Sequence, residues 1–159
     1  MAEASIKSLT EEIEKALEGM VKRANMIPAY LNRVVYREYQ NAQRKRWETE
    51  NAGDDFAGGQ WQSLDLAYAT WKKKKYAGYP GGGTKILIRT NRLFSGVVGP
   101  GADHRKIVDD RSIRIATAVP YGQYVDNTRT FSQWSPVFYN RIYKDLGEYL
   151  FKAILKGSS

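Results

Sequence analysis

The sequence predicts an α+β fold: long N-terminal helices, a central helix, a small antiparallel sheet and a C-terminal helix. Three observations predict it. Apolar residues recur at every third or fourth position in the opening segment and again after Pro136, the repeat of a helical face. SIRIATAV (112–119) instead alternates, with Ile113, Ile115, Thr117 and Val119 against Arg114, Ala116 and Ala118, the repeat of a half-buried strand. Glycine-rich breaks, ENAGDDFAGG (50–59) and AGYPGGGT (77–84), separate these segments. The 159 residues suit a single domain with a buried core, divided into a helical segment over 1–50 and an α+β core over 56–159.

In the first segment Ile6, Leu9, Ile13, Ala16, Leu17, Met20, Val21 and Ala24 share one helical face. Asn25 and Pro28 interrupt it, because proline lacks the donor a helix interior needs yet fits a first turn. A second helix follows from Pro28 to about Thr49, with Ile27, Leu31, Val34, Val35 and Ala42 on its apolar side. Arg33, Arg37 and Arg44 fall within ~40° of one another on a different side. They form either a solvated face or a stripe aimed at phosphates or an acidic protein.

The central helix is expected to open with Ser63 as N-cap and Asp65 in the first turn. Leu64, Ala67, Tyr68 and Trp71 then make a stripe that should face the core. Lys72 to Lys75 finish the last turn, where cations suit the helix dipole, with Lys72 and Lys74 as candidate contacts to phosphate or an acidic partner. AGYPGGGT reads as a flexible connection; Thr84 precedes Lys85, the wrong order for a phosphate-binding loop.

KILIRT (85–90) is expected to be a short strand from its β-branched content. KIVDDR (106–111) should pair with SIRIATAV through a turn at Asp109 and Asp110. Ser135 and Pro136 open the last helix, which turns Phe138, Ile142, Leu146, Tyr149, Leu150, Ala153 and Ile154 inward despite Gly147.

Composition narrows the function classes. A 42% hydrophobic and 13% aromatic content is that of a globular chain rather than a disordered one. No run approaches the ~18 apolar residues of a membrane span, and MAEASIKSLTEEIEKALEG lacks the apolar centre of a signal peptide, so a cytosolic origin and no membrane partner are expected. The absence of cysteine excludes disulfides and thiolate metal sites. The net charge of +8 favours a polyanionic or acidic partner. Glu50, Asp54, Asp55, Asp103, Asp109 and Asp110 match no metal-ligand spacing, so neither metal nor cofactor is expected. The single histidine, His104, reads as a hydrated loop residue with no nucleophile arrangement beside it, which argues against an enzyme.

Four stretches in order, GQWQSLDLAYATWKKKK (59–75), KILIRTNRLFSGV (85–97), SIRIATAVPYGQYVDN (112–127) and TRTFSQWSP (128–136), resemble the tailed-phage virion morphogenesis family, the tail-completion or head–tail joining proteins of the phage neck. The family's Trp-x-x-Leu-x-x-x-Tyr pattern leading to a lysine falls on Trp61, Leu64, Tyr68 and Lys72, with Trp71 beside it. Its Thr-Gly-x-Leu falls on Thr90, Asn91, Arg92 and Leu93; asparagine, which tolerates left-handed backbone, replaces the glycine. Tyr121 and Gly122 stand for a Tyr-Ala pair, Val125 and Asn127 lie where histidine and glycine belong, and Arg129, Thr130 and Phe131 replace Arg-Pro-Phe.

The resemblance implies a non-enzymatic virion protein, assembled in the host cytoplasm as a homo-oligomeric ring, with six-fold symmetry as the expectation. Its partners would be neighbouring connector and tail proteins, and DNA would pass through the lumen. Subunits would meet by heterologous contacts, for which Tyr76, Tyr79, Trp134 and Tyr139 are suited, and the loop 77–84 would order on docking. Two other readings stand beside it: a free DNA-binding protein using Arg33, Arg37 and Arg44, and a hydrolase using Asp103 and His104. The assembly reading, as the sequence presents it, rests on the aromatics of the central helix pointing into the core.

Overall fold

The computed structural model describes residues 2–79 and 83–156, with side chains placed for residues 11, 13–79 and 83–152. The fold is α+β, with a two-stranded antiparallel sheet among helices. Helix α1 (Ala2–Ala24) is followed by α2 (Ile27–Tyr30), a π turn (Leu31–Val35) and α3 (Tyr36–Glu48). The last three run on without a break in αR backbone, so the expected helix over Pro28 to Thr49 is present with an extra residue accommodated in its first half. Pro28 sits in its first turn, where its missing donor costs nothing.

Beyond the loop at 50–59 lie α4 (Leu66–Lys75), α5 (Arg92–Val98), strands β1 (His104–Val108) and β2 (Ile113–Thr117), α6 (Gly122–Thr128) and α7 (Pro136–Lys156). The hairpin pairs His104 with Thr117 and Val108 with Ile113. Its turn is closed by Asp109, whose amide donates to Ser112 O (2.8 Å) and whose carboxylate accepts from Ser112 and Arg114. On β2 the expected alternation holds: Ile113, Ile115 and Thr117 are half-buried and Arg114 and Ala116 exposed.

KILIRT is not a strand. Leu87 adopts left-handed backbone (φ 61°), and the segment turns there while Ile86 and Ile88 both enter the core. It is tied down singly instead of by a ladder: Lys85 Nζ donates to Glu48 O (3.0 Å) and the Ile86 amide to Glu50 (3.4 Å). Asn91, where the family pattern has glycine, takes the left-handed conformation (φ 65°) and leads into α5, a helix the sequence reading did not anticipate. Helix α6 was also unanticipated. Gly96 lets α5 lie close on β2: a Cβ there would stand 2.6 Å from Thr117 Oγ1 and 3.0 Å from Val119.

One core cluster joins Trp47, Trp61, Ile86, Ile88, Leu93, Val97, Val119 and Phe131; a second joins Ala42, Phe56 and Phe138, with Trp134 and Ile142 packed against it. Both draw on α3, so the core expected over 56–159 is completed by residues that precede it. Trp134, expected to be free for an interface, stacks on Phe138 (4.1 Å) and bridges to Phe56, and Tyr76 is also buried. Arg46 is fully buried between Phe56 and Trp134 and donates to the main-chain oxygens of Phe131 and Gln133, clipping α3 to the segment before α7. Burial pushes its pKa down to about 10.

Helix α7 opens at Pro136 as expected; Phe138 is buried, and Ile142, Leu146, Tyr149 and Leu150 are half-buried. The side chains of Ala153 and Ile154, like those of Ile6 and Leu9, lie outside the described residues. Helix α1 packs on α7: Arg23 donates to Tyr149 O (2.7 Å), and Tyr149 stacks on Tyr30 (4.5 Å). Only part of the apolar face of α1 is used in this contact. Ala16 and Met20 are half-buried, whereas Ile13, Leu17 and Val21 remain exposed, Leu17 at 56%.

Candidate functional site

The central helix begins two residues later than its sequence suggests. Asp65, not Ser63, is the N-cap, its carboxylate accepting from the amides of Ala67 (3.0 Å) and Tyr68 (3.2 Å). The side of α4 that meets the protein is Ala69, Lys72 and Tyr76, about 100° around the axis from the expected stripe. Tyr68 (42%) and Trp71 (44%) are therefore exposed, as is Ala67; of the expected stripe only Leu64 is half-buried. Lys72 is buried and its ammonium donates to Lys85 O, so it contacts no phosphate or acidic partner; desolvation lowers its pKa. The stem of a lysine fills an inward site when its head finds an acceptor. Lys73, Lys74 and Lys75 are exposed, so Lys74 stays available to a partner.

The rings form a ladder that is exposed at Tyr68, Trp71 and Tyr79 and buried at Tyr76: Tyr68 to Trp71 (5.4 Å), Trp71 to Tyr76 (5.7 Å), Tyr76 to Tyr79 (6.2 Å). Lys75 lies over Trp71 (5.4 Å) and Arg89 over Tyr76 (5.1 Å). Beside the ladder is an open groove of about 590 Å³ between α4, the 87–92 segment and α6. Leu64, Leu87, Leu93 and Val125 give it an apolar floor, Tyr68, Tyr121 and Tyr124 are exposed along it, and Arg89, Arg92 and Arg129 make it cationic. Arg92 is neutralised by a bidentate pair with Asp103 (2.6 and 3.1 Å), which holds the Asp103 carboxyl below the usual carboxylate range. Arg89 and Arg129 have no carboxylate within ion-pair distance among the described residues.

Of the residues of the family pattern, some line this groove, Trp61 and Phe131 lie in the core, and Trp71 is exposed away from the groove's lining. Trp61, Leu93 and Phe131 share a core cluster against Trp47, with Leu64 packed on it, and Trp61 Nε1 donates to Thr130 O (3.0 Å). Leu64, Tyr68, Lys72, Thr90, Leu93 and Tyr121 all line the groove. Arg89 and Tyr124 were not legible in the sequence; an exposed arginine directly after a buried isoleucine, and a tyrosine at 77% exposure, carry no periodic signal.

His104 is not a hydrated loop residue. It starts β1 half-buried, and its Nδ1 lies 3.0 Å from Gly96 O, which can only accept, so Nδ1 donates; Nε2 lies 2.9 Å from the Tyr36 phenol and, in the neutral ring, accepts from it. Both ring nitrogens are engaged, and Asp103 faces Arg92 instead of the imidazole. Arg33, Arg37 and Arg44 are exposed, with Arg44 donating to Asn41 (3.2 Å). A second hollow of about 640 Å³, lined by Tyr39, Gln43, Ile115 and Trp134 among others, lies between α3, β2 and α7.

Among the described residues no group of three or more His, Asp or Glu is placed to hold a metal ion, and no helix is long and apolar enough to cross a membrane. The chain matches no protein-family model, no curated protein and no solved structure.

Proposed function

We propose that this chain is a non-enzymatic structural subunit that assembles with copies of itself, working as a ring in the neck of a tailed phage virion around the path of the DNA. The outward-facing aromatics of α4 remove the ground on which the sequence rested this reading. What supports it now is the uncovered apolar stripe of α1: Ile13, Leu17 and Val21 stand in solvent at four-residue spacing while the neighbouring face of the same helix is packed on α7. A row of large aliphatics left in water on a long helix marks a protein contact. The motif order of residues 59–136 supplies the phage class. Mass photometry and negative-stain imaging of the purified chain, alone and with tail-tube and connector proteins, should show rings. A chain that stays monomeric in every mixture ends the proposal.

The alternative, a free DNA-binding protein, keeps one observation in its favour: Arg33, Arg37 and Arg44 are all solvent-exposed. Duplex binding that falls steeply with salt, and falls further in Arg37→Ala, would establish it. Absence of binding at low salt removes it.

A further inference from the structure

We propose that the cationic groove between α4 and α6 is the socket for α1 of a neighbouring copy, an inference that rests on the self-assembly reading above. The two surfaces are complementary in both shape of chemistry and sign of charge. On α1, Glu14 and Glu18 follow Ile13 and Leu17 directly and so flank the exposed stripe, on the side away from α7; both are exposed and neither is ion-paired among the described residues. In the groove, the floor of Leu64, Leu87, Leu93 and Val125 offers aliphatic contact, and Arg89 and Arg129 have no carboxylate within ion-pair distance among the described residues. Tyr68, Tyr121 and Tyr124 are rings with hydroxyl edges at the rim, the residue type that carries interfaces because one side chain gives both apolar area and a hydrogen bond.

Stripe to groove is a heterologous contact, since the stripe is on α1 and the groove on α4, α6 and the 87–92 segment. Such contacts propagate, and they close into a ring when the rotation between copies allows. The contact also accounts for the family-pattern positions that line this groove: Leu64, Tyr68, Thr90, Leu93 and Tyr121 build the receiving surface rather than a catalytic one.

The test uses the full chain, which has no cysteine of its own. Leu17→Cys and Tyr124→Cys are made separately, both at exposed positions, mixed, and oxidised mildly. The expected result is a disulfide-linked pair in the mixture and none in either variant alone. In parallel, Arg89→Glu should raise the concentration needed for assembly at least tenfold, and combining it with Glu14→Arg and Glu18→Arg should restore it; melting curves verify that each variant is folded.

If copies assemble yet the mixture gives no cross-link and Arg89→Glu assembles normally, the socket assignment is overturned while the structural-subunit reading stands. Self-cross-linking of Leu17→Cys alone would overturn it in favour of a symmetric α1–α1 contact. If Arg89→Glu leaves assembly intact and abolishes binding of a single-stranded oligothymidine, the groove is a nucleic-acid site, with its tyrosines as stacking platforms. A wild-type chain that never associates overturns both readings together.

Discussion

The ammonium of Lys72 donates to the main-chain oxygen of Lys85 from a site where only 2% of the residue meets solvent. One of four consecutive lysines is thus a core residue and the other three are not. Lys72→Ala should cost about 2 kcal/mol, from a lost charged hydrogen bond and lost stem packing. Lys73→Ala and Lys74→Ala should each stay within about 0.5 kcal/mol of wild type. Urea denaturation of the three variants makes the comparison; equal effects would contradict the geometry.

Arg46 has no carboxylate partner within ion-pair distance among the described residues, and its head is held by the Phe131 and Gln133 carbonyls and the rings of Phe56 and Trp134. Arg46→Ala should destabilise the protein by about 3–5 kcal/mol, because two carbonyls lose their donor and two aromatic faces lose their neighbour. Arg44→Ala, two residues away and exposed, should be nearly silent in the same denaturation experiment.

Gly96→Ala places a methyl 2.6 Å from Thr117 Oγ1, which forces α5 off the hairpin. Overpacking of this kind costs about 1–3 kcal/mol. Thermal unfolding should show the loss, and the double variant with Thr117→Ala should recover part of it.

Tyr39 donates to Val97 O (3.0 Å), and burial pushes its pKa up from 10.0 to about 12. The unfolded chain therefore releases this proton first as pH rises, and the folded state holds more protons over that window. Stability contributed by Tyr39 is intact below pH 10 and lost as pH climbs through about 12, at a limiting slope of about 1.4 kcal/mol per pH unit. Lys72 acts with the opposite sign: its lowered pKa makes stability rise with pH as the ordinary lysine value of 10.5 is approached. Denaturation between pH 9 and pH 12 should show a shallower alkaline loss in Tyr39→Phe than in wild type, roughly as the phenol's share of the slope requires.

What could be read from sequence was what periodicity and punctuation fix together. The helix from Pro28, the hairpin turning at Asp109 and the start of α7 at Pro136 each follow from a local rule about proline or alternation, whereas the left-handed asparagine at 91 was expected only from the resemblance, where glycine stands in the pattern. The phase of α4 does not. Its ten residues, LAYATWKKKK, offer an aromatic stripe and a lysine stripe about 100° apart, and hydrophobicity favours the wrong one. The acceptor that makes burial of Lys72 tolerable comes from Lys85, beyond the glycine-rich segment. Ile86 and Ile88 read as a strand for the same reason: two inward isoleucines look alike whether a neighbouring strand or a left-handed Leu87 lies between and beside them. Arg46 was hidden among Arg44 and Lys45, although its spacing of four from Ala42 and its place next to Trp47 set it on the buried side of α3.

Every member of the two core clusters lies at residue 42 or later. The first helix is thus an arm fastened to the body mainly along α7, through Arg23, which donates to Tyr149 O and lies over the Tyr149 ring. Shedding that arm would remove the exposed row of Ile13, Leu17 and Val21 while leaving both clusters with all their members, so a chain trimmed of its first helix keeps the material of its interior.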